Sequence, residues 1–276
     1  MKKVILSFLA VILMTGSSFA ATWVAADRVA PVGKVIVEKN GLPAKTTFKV
    51  VNGAVDNSMT NTTNVIQISS TDLTYAGNDN EVAAVISSEI GQIINGKSAK
   101  EKFRSAAKAA LAEKLSSTNV LNTAANSEYL NSKTALGDLK MADTTGVDLM
   151  VNAGYNPLAM VVLITKQPGS NLEIVMGKPA NSERAMNVFD YITYNYADKL
   201  KAGYTCQEYR NFLAYSDPIV EKRNKSKSAL KKFNKAQEKV KKERAKSLAQ
   251  FKATGGLSSW DATYTILNEL STQKKK

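Results

Sequence analysis

Residues 80–96 read Asn80-Glu81-Val82-Ala83-Ala84-Val85-Ile86-Ser87-Ser88-Glu89-Ile90-Gly91-Gln92-Ile93-Ile94-Asn95-Gly96. Val82, Val85, Ile86, Ile90, Ile93 and Ile94 recur at intervals of three and four, the apolar stripe of an α-helix, and Gly96 stands where the helix should stop. Upstream, residues 35–75 read as strand-rich. Val35 and Val37 alternate, Thr46 to Val51 form a β-prone run, and Val65, Gln67 and Ser69 alternate with Asn64, Ile66 and Ile68. Asn40-Gly41, Asn52-Gly53 and the polar stretch 56–63 supply turn chemistry between these runs, which predicts a small sheet or hairpin system.

Downstream, the period stays helical. Ser98 and Glu101 have capping-box spacing and open a helix from Ala99 to about Leu115. A further helix is expected from about Ser127 to Val151, ending near Gly154. Asn156 and Pro157 restart one that runs to Lys166, with proline at its first turn. Ser182 opens the next, to about Leu200. Asp217-Pro218 predicts a break before a long charged helix over about 219–252, and Gly255-Gly256 ends that helix. A last amphipathic helix carries Trp260, Tyr264, Leu267 and Leu270. No repeat of fixed period is present, and the pattern as a whole is α+β and mostly helical, with a small β-sheet.

The wording of residues 80–96 resembles the active-site helix of the HtpX-like and CAAX-prenyl-protease-type zinc metallopeptidases. There the helix reads like N-E-x-A-A-V-x-x-H-E-x-G-H-x-x-N-G. In that motif two histidines four apart share one helical face and grip a zinc ion, while the glutamate between them reaches the metal-bound water. This chain has Ser88 and Gln92 at the histidine positions and retains Glu89, the position of the family's general base. Residues 142–160, Ala142-Asp143-Thr144-Thr145-Gly146-Val147-Asp148 followed by Ala153-Gly154-Tyr155-Asn156-Pro157, resemble the family's second motif. The resemblance implies a third zinc ligand four residues before Asp143, and Leu139 occupies that position. Residues 177–184 resemble the family's H-P-x-x-x-x-R turn, with Lys178 in place of histidine and Arg184 kept.

The likeness covers about residues 30–200, more loosely over Phe48 to Leu73. It implies a zincin-like (gluzincin) metallopeptidase fold followed by a C-terminal helical extension. It also implies zinc as a cofactor, but no metal is expected here, because the chain contains no histidine and its single cysteine, Cys206, lies far from the motif. A site of carboxylates alone is a poor zinc cage. Without the metal, Glu89 has no acidified water to deprotonate. The absence of histidine also excludes Ser-His and Cys-His nucleophiles and leaves only a Ser-Lys arrangement of Ser88 with Lys178, against which stands the simpler reading of Ser88 as a polar filler. Glu89 has a structural reading too, as a partner of Arg184 or Lys178, and that reading is preferred.

Net charge is +13, and its distribution decides what it means. Residues 221–252 hold 13 Lys and Arg against 3 Asp and Glu, and Lys274 to Lys276 add three more, so the rest of the chain sums to zero. Lys231, Lys232, Lys235, Lys239, Lys241 and Lys242 form the core of this basic patch. Leu230, Phe233, Val240, Leu248 and Phe251 form a sparse apolar stripe through it. Such a helix can pack its stripe on the main domain and offer a cationic face to an anionic envelope polymer or lipid surface, or it can be a solvated face that keeps the chain in solution. Nucleic acid is not the expected partner, since no aromatic platform accompanies the charge.

Residues 1–20 order a short positive start (Lys2, Lys3), an apolar run from Val4 to Thr15 and small residues at Ser18 and Ala20, which predicts a secretory signal peptide cleaved after Ala20. The expected organisation is therefore a signal peptide over 1–20, a peptidase-like domain over 21–200 and a basic helical extension over 201–276, in an exported, periplasmic or extracellular protein with no later membrane span. One cysteine permits no internal disulfide, so Cys206 is expected to be buried or to pair between molecules. The expected function is a non-catalytic module that binds a protein, a peptide or an envelope component on a metallopeptidase scaffold. Its rivals are an active zinc endopeptidase with an atypical site and a surface-binding protein acting through the basic helix.

Overall fold

A computed structural model describes residues 23–53, 55–57, 60–95, 139–169, 173, 175 and 177–253. The expected leader, the helix from Ala99 to Leu115, the stretch 127–138 and the last amphipathic helix lie outside the described residues. Those described are mostly helical, with one two-stranded parallel sheet. In chain order the elements are α1 (Ala25–Lys39), β1 (Thr47–Val51), α2 (Thr60–Thr63), β2 (Val65–Ser69), α3 (Ser70–Leu73) and α4 (Asp79–Ile94). These are followed by α5 (139–152), α6 (Leu158–Lys166), α7 (Ser182–Asn195), a 3-10 turn (Ala197–Ala202), α8 (Gln207–Lys225) and α9 (Lys227–Ala253). Among the described residues no helix is long and apolar enough to cross a membrane.

Helix α4 is the axis of the fold. Asn78 caps it by accepting from the backbone N–H groups of Asn80 and Glu81, and Asp79 and Glu81 place negative charge in the first turn, where the helix dipole favours it. Val82, Val85, Ile86, Ile90 and Ile94 are all buried, as the three-and-four spacing predicts, but so are Ala83, Ala84, Ser87 and Ser88 on the intervening faces. The helix is thus wrapped by α1, α6, the sheet and α5 rather than laid on one partner. Burial on this scale supplies most of its stability, because intrinsic propensity in a run of β-branched residues is modest.

Three expectations are corrected. Val35 and Val37 belong to helix α1 and not to a strand: Val29, Val32, Gly33, Ile36 and Val37 are its buried residues, a helical period that overrides the short alternation. Of the small sheet or hairpin expected, the structure has the sheet, with the two strands paired in parallel, Thr47 opposite Val65 through Val51 opposite Ser69. Residues 52–64, including the helical turn α2, carry the chain back to the start of the sheet, which a parallel pair requires. Pro218 does not break the chain. It lies inside α8, whose flanks are held by buried Tyr209, Phe212 and Ser216 on one side and by the ion pair of Arg223 with Asp190 on the other. The basic stretch is consequently divided at Ser226 into α8 and α9 instead of forming one helix from 219. Finally, the helix expected to run from Ser182 to Leu200 ends at Asn195, and a 3-10 turn takes up 197–202.

Aromatic packing joins the later helices to this core. Phe189 of α7 meets Phe212 of α8 edge-on at 5.3 Å, and Tyr204 stacks its edge on Tyr209 at 6.2 Å. Cys206 is half-buried. Its sulfur caps α8 by accepting from the Tyr209 N–H at 3.4 Å, and burial pushes the thiol pKa up, away from reactive thiolate character.

Candidate functional site

The motif residues meet where α4, α5 and the start of α7 converge. Two glycines set how closely these helices approach. A Cβ on Gly91 would lie 2.2 Å from the carbonyl oxygen of Ala142, and one on Gly146 would lie 3.0 Å from that of Ser87, so α4 and α5 touch backbone to backbone. Asn95 fastens the same crossing by donating to the Gly91 carbonyl at 2.7 Å and to Thr145 Oγ1 at 3.0 Å. At the other end of α4, Asn80 Oδ1 accepts from the Asn156 N–H at 2.9 Å. Both asparagines of the 80–96 stretch therefore act as struts between α4 and the 142–160 segment.

This crossing puts Ser88 beside Asp143. The Ser88 hydroxyl donates to Asp143 Oδ1 at 3.2 Å, and Asp143 is wholly buried. Arg184, from the first turn of α7, closes on the same carboxylate with a two-pronged grip: Nε to Oδ2 at 2.6 Å and Nη2 to Oδ1 at 2.8 Å. Its remaining arm donates to Gln167 Oε1 at 2.9 Å, and Gln167 in turn donates to Asp72 Oδ1. Burial works against the charge on Arg184, but Asp143, by charge and by hydrogen bond, with Asp72 and Glu89 beyond it, more than offsets that and holds the guanidinium pKa above its ordinary value. A forked, desolvated pair of this kind is a geometric lock between three helices.

Glu89 faces the sheet. Its carboxylate accepts from Gln92 Nε2 at 3.0 Å and from Asn57 Nδ2 at 3.2 Å, and Asn57 also bridges to the Gln67 backbone of β2 in both directions. Asn57, Gln67, Gln167 and Asp72 were not singled out in the sequence. Asn57 and Gln167 sit in connections, Asp72 in the one-turn helix α3 and Gln67 in β2, and only the tertiary pairing gives them these roles.

Leu139 precedes Asp143 by four residues in α5 and so lies on the same helical face, with a hydrocarbon side chain. The side chains at positions 88, 92 and 139 do not fit a zinc ion: a hydroxyl engaged with Asp143, an amide engaged with Glu89, and leucine, which offers no lone pair. Among the described residues no group of three His, Cys, Asp or Glu side chains is placed to hold a metal.

Lys178 stands apart from the Ser88–Asp143 lock. It is exposed and lines an open cavity of 660 Å³ with Thr165, Pro179, Glu208, Asn211 and Tyr215. A second open cavity of 510 Å³ shares Thr165 and Glu208 with it and extends along Thr74 to Gly77. A third polar centre supports this region from below. Glu81, almost wholly buried, accepts from the Gly77 N–H at 2.6 Å, Tyr204 OH at 2.9 Å and Lys166 Nζ at 2.7 Å, and burial raises the Tyr204 pKa far above its usual range.

The basic residues behave as two groups. Lys231, Lys232, Lys235, Lys239 and Lys242 are exposed on α9, with Lys239 paired to Glu243 at 3.5 Å, while the side chain of Lys241 lies outside the described residues. Phe233 anchors the helix: Tyr194 of α7 meets it edge-on at 5.8 Å, and Arg223 lies over its ring at 3.8 Å. Leu230, expected on the apolar stripe, is exposed instead, and the side chains of Leu248 and Phe251 lie outside the described residues. Compared with family models, curated proteins and solved structures, the chain finds no match.

Proposed function

We propose that this chain is a non-catalytic binding module on a zincin-like scaffold, exported and cleaved after Ala20, in which the peptidase site has become a structural lock. The observation that carries this reading is the double engagement at the motif: Ser88 donates to Asp143, which Arg184 also grips, and Glu89 accepts from Gln92 and Asn57. Zinc hydrolysis needs three ligands, a polarised carbonyl and a glutamate open to a metal-bound water. Here the glutamate position serves to tie α4 to the sheet. A Ser88–Lys178 nucleophile is not favoured, because the Ser88 hydroxyl donates to a carboxylate already neutralised by Arg184, while Lys178 lines the open cavity.

The binding half of the proposal rests on that cavity and its neighbour. Their combined lining alternates cation, anion, amide and phenol over a surface of the size that takes small ligands or a short extended peptide. A polypeptide is the partner this mixed lining suits, with Lys178 and Glu208 addressing opposite charges along it.

A casein hydrolysis assay, with and without added zinc, tests the catalytic half. The native chain and Glu89→Gln are expected to be equally inert under both conditions. Zinc-dependent hydrolysis that disappears in Glu89→Gln would establish an active peptidase and refute the proposal.

A further inference from the structure

We propose that helix α9 is a peripheral docking ridge for an anionic phospholipid surface, held there by charge and without insertion into the hydrocarbon. Lys227, Lys231, Lys235, Lys239 and Lys242 follow one another at intervals of four, four, four and three, and all five are exposed. At 1.5 Å per residue this row is about 22 Å long, with an ammonium group roughly every 6 Å. The opposite face is already spent. Phe233 and Val240 are half-buried and Gln237 is buried, so the lysine row is turned away from the domain and is the outward crest of the helix.

The acidic residues do not offset the row. Of the two glutamates between Lys227 and Glu243, Glu238 stands within the row and accepts from Tyr194 OH, and Glu243 is engaged with Lys239, so five lysines against two glutamates leave the crest strongly cationic. Shape chooses among anionic partners. A convex crest meets a plane along its whole length, whereas a polymer strand is held best in a groove with cations on both walls. Phe233, the ring that stands among these lysines, is taken up by Tyr194 and Arg223 and is not free to stack bases, which removes the usual second contribution in single-strand binding. Because Phe233, the stripe's one large ring among the described side chains, is held by Tyr194 and Arg223, this part of α9 is not free to roll over and bury it in lipid as an interfacial amphipathic helix does. Adsorption should therefore be purely electrostatic: reversible, dependent on acidic headgroups, and screened by salt.

The test is co-sedimentation of the purified chain with vesicles of phosphatidylcholine alone or mixed with phosphatidylglycerol, at low and high salt. Each surface lysine contributes about fivefold to partitioning onto an acidic bilayer, so Lys231→Gln/Lys235→Gln/Lys242→Gln should bind roughly 100-fold more weakly. The charge-conserving Lys231→Arg/Lys235→Arg/Lys242→Arg variant should bind as the native chain does, which separates charge from any effect on folding. Native binding confined to phosphatidylglycerol vesicles, released by high salt and lost only in the glutamine variant, supports the proposal. Equal binding to neutral vesicles, binding that resists salt, an unaffected glutamine variant, or capture by duplex DNA or a soluble anionic polysaccharide with none by vesicles would overturn it.

Discussion

Alanine at position 91 is expected to lower the melting temperature by roughly 5–10 °C. In most helices a glycine-to-alanine change stabilises by up to about 1 kcal/mol, because the backbone loses less freedom on folding. At Gly91 the added methyl would fall 2.2 Å from the carbonyl oxygen and 2.9 Å from the carbonyl carbon of Ala142. These are backbone atoms of a buried helix and cannot rotate away. Helices α4 and α5 would have to separate, loosening Asn95 from Thr145 and Ser88 from Asp143. Overpacking of this kind costs about 1–3 kcal/mol, and a rigid obstacle places it at the upper end. Gly146→Ala is the internal comparison. Its nearest obstacle is the end of the flexible Met160 side chain at 2.8 Å, and the backbone oxygen of Ser87 stands off at 3.0 Å rather than 2.2 Å, so a smaller loss is expected in the same thermal melt followed by circular dichroism.

Arg184→Met should be at least as damaging, because it strands a charge. Asp143 is fully buried and receives two of its hydrogen bonds from the Arg184 guanidinium, whose side chain is only 13% exposed. Removing one member of a buried pair costs about 3–5 kcal/mol, the penalty being the carboxylate left without compensation. For a chain of this size that corresponds to a loss of roughly 6–20 °C in melting temperature. The double variant Asp143→Asn/Arg184→Met removes the stranded charge and leaves Ser88 a neutral partner, so it should recover part of the loss. If the loss in the double variant, relative to the native chain, equalled the sum of the losses in Arg184→Met and Asp143→Asn measured singly, the lock between α4, α5 and α7 would not exist. Solvated pairs such as Lys34 with Glu38 offer the contrast, since exposed pairs contribute under about 1 kcal/mol.

The contrast between these elements explains what the sequence could reveal. Helix α4 was legible because its apolar period is long and uninterrupted, and β1 and β2 because β-branched residues cluster between turn signals. Asn156 was legible as a cap, and it does accept from the Leu158 N–H at 3.0 Å. Helix α1 was misread because Val35 and Val37 suggest alternation locally, and only the longer spacing from Val29 to Ile36 shows the helical face. Pro218 was misread because the penalty for a proline inside a helix is local, whereas the contacts that hold α8 together are tertiary. Parallel pairing of the strands could not be read from strand composition, since it depends on the path of residues 52–64.

The candidate site divides in the same way. Ser88, Asp143 and Arg184 are 55 and 41 residues apart, and it was the wording of three motifs, not any periodicity, that singled them out together. Their contact gives that wording a physical meaning as a hydrogen-bonded lock. Lys178 was singled out by the same motif wording, yet it lines the open cavity instead. Asn57 and Gln167 carried no signal because a single amide in a connection gains a function only from what folding brings to it.

Metal content of the purified chain, measured after exposure to excess zinc and removal of the free ion, tests the central claim most directly. Zinc well below one ion per chain is expected, since Ser88, Gln92 and Leu139 supply no ligand set. One tightly held zinc ion per chain would contradict the reading of this site as a structural lock.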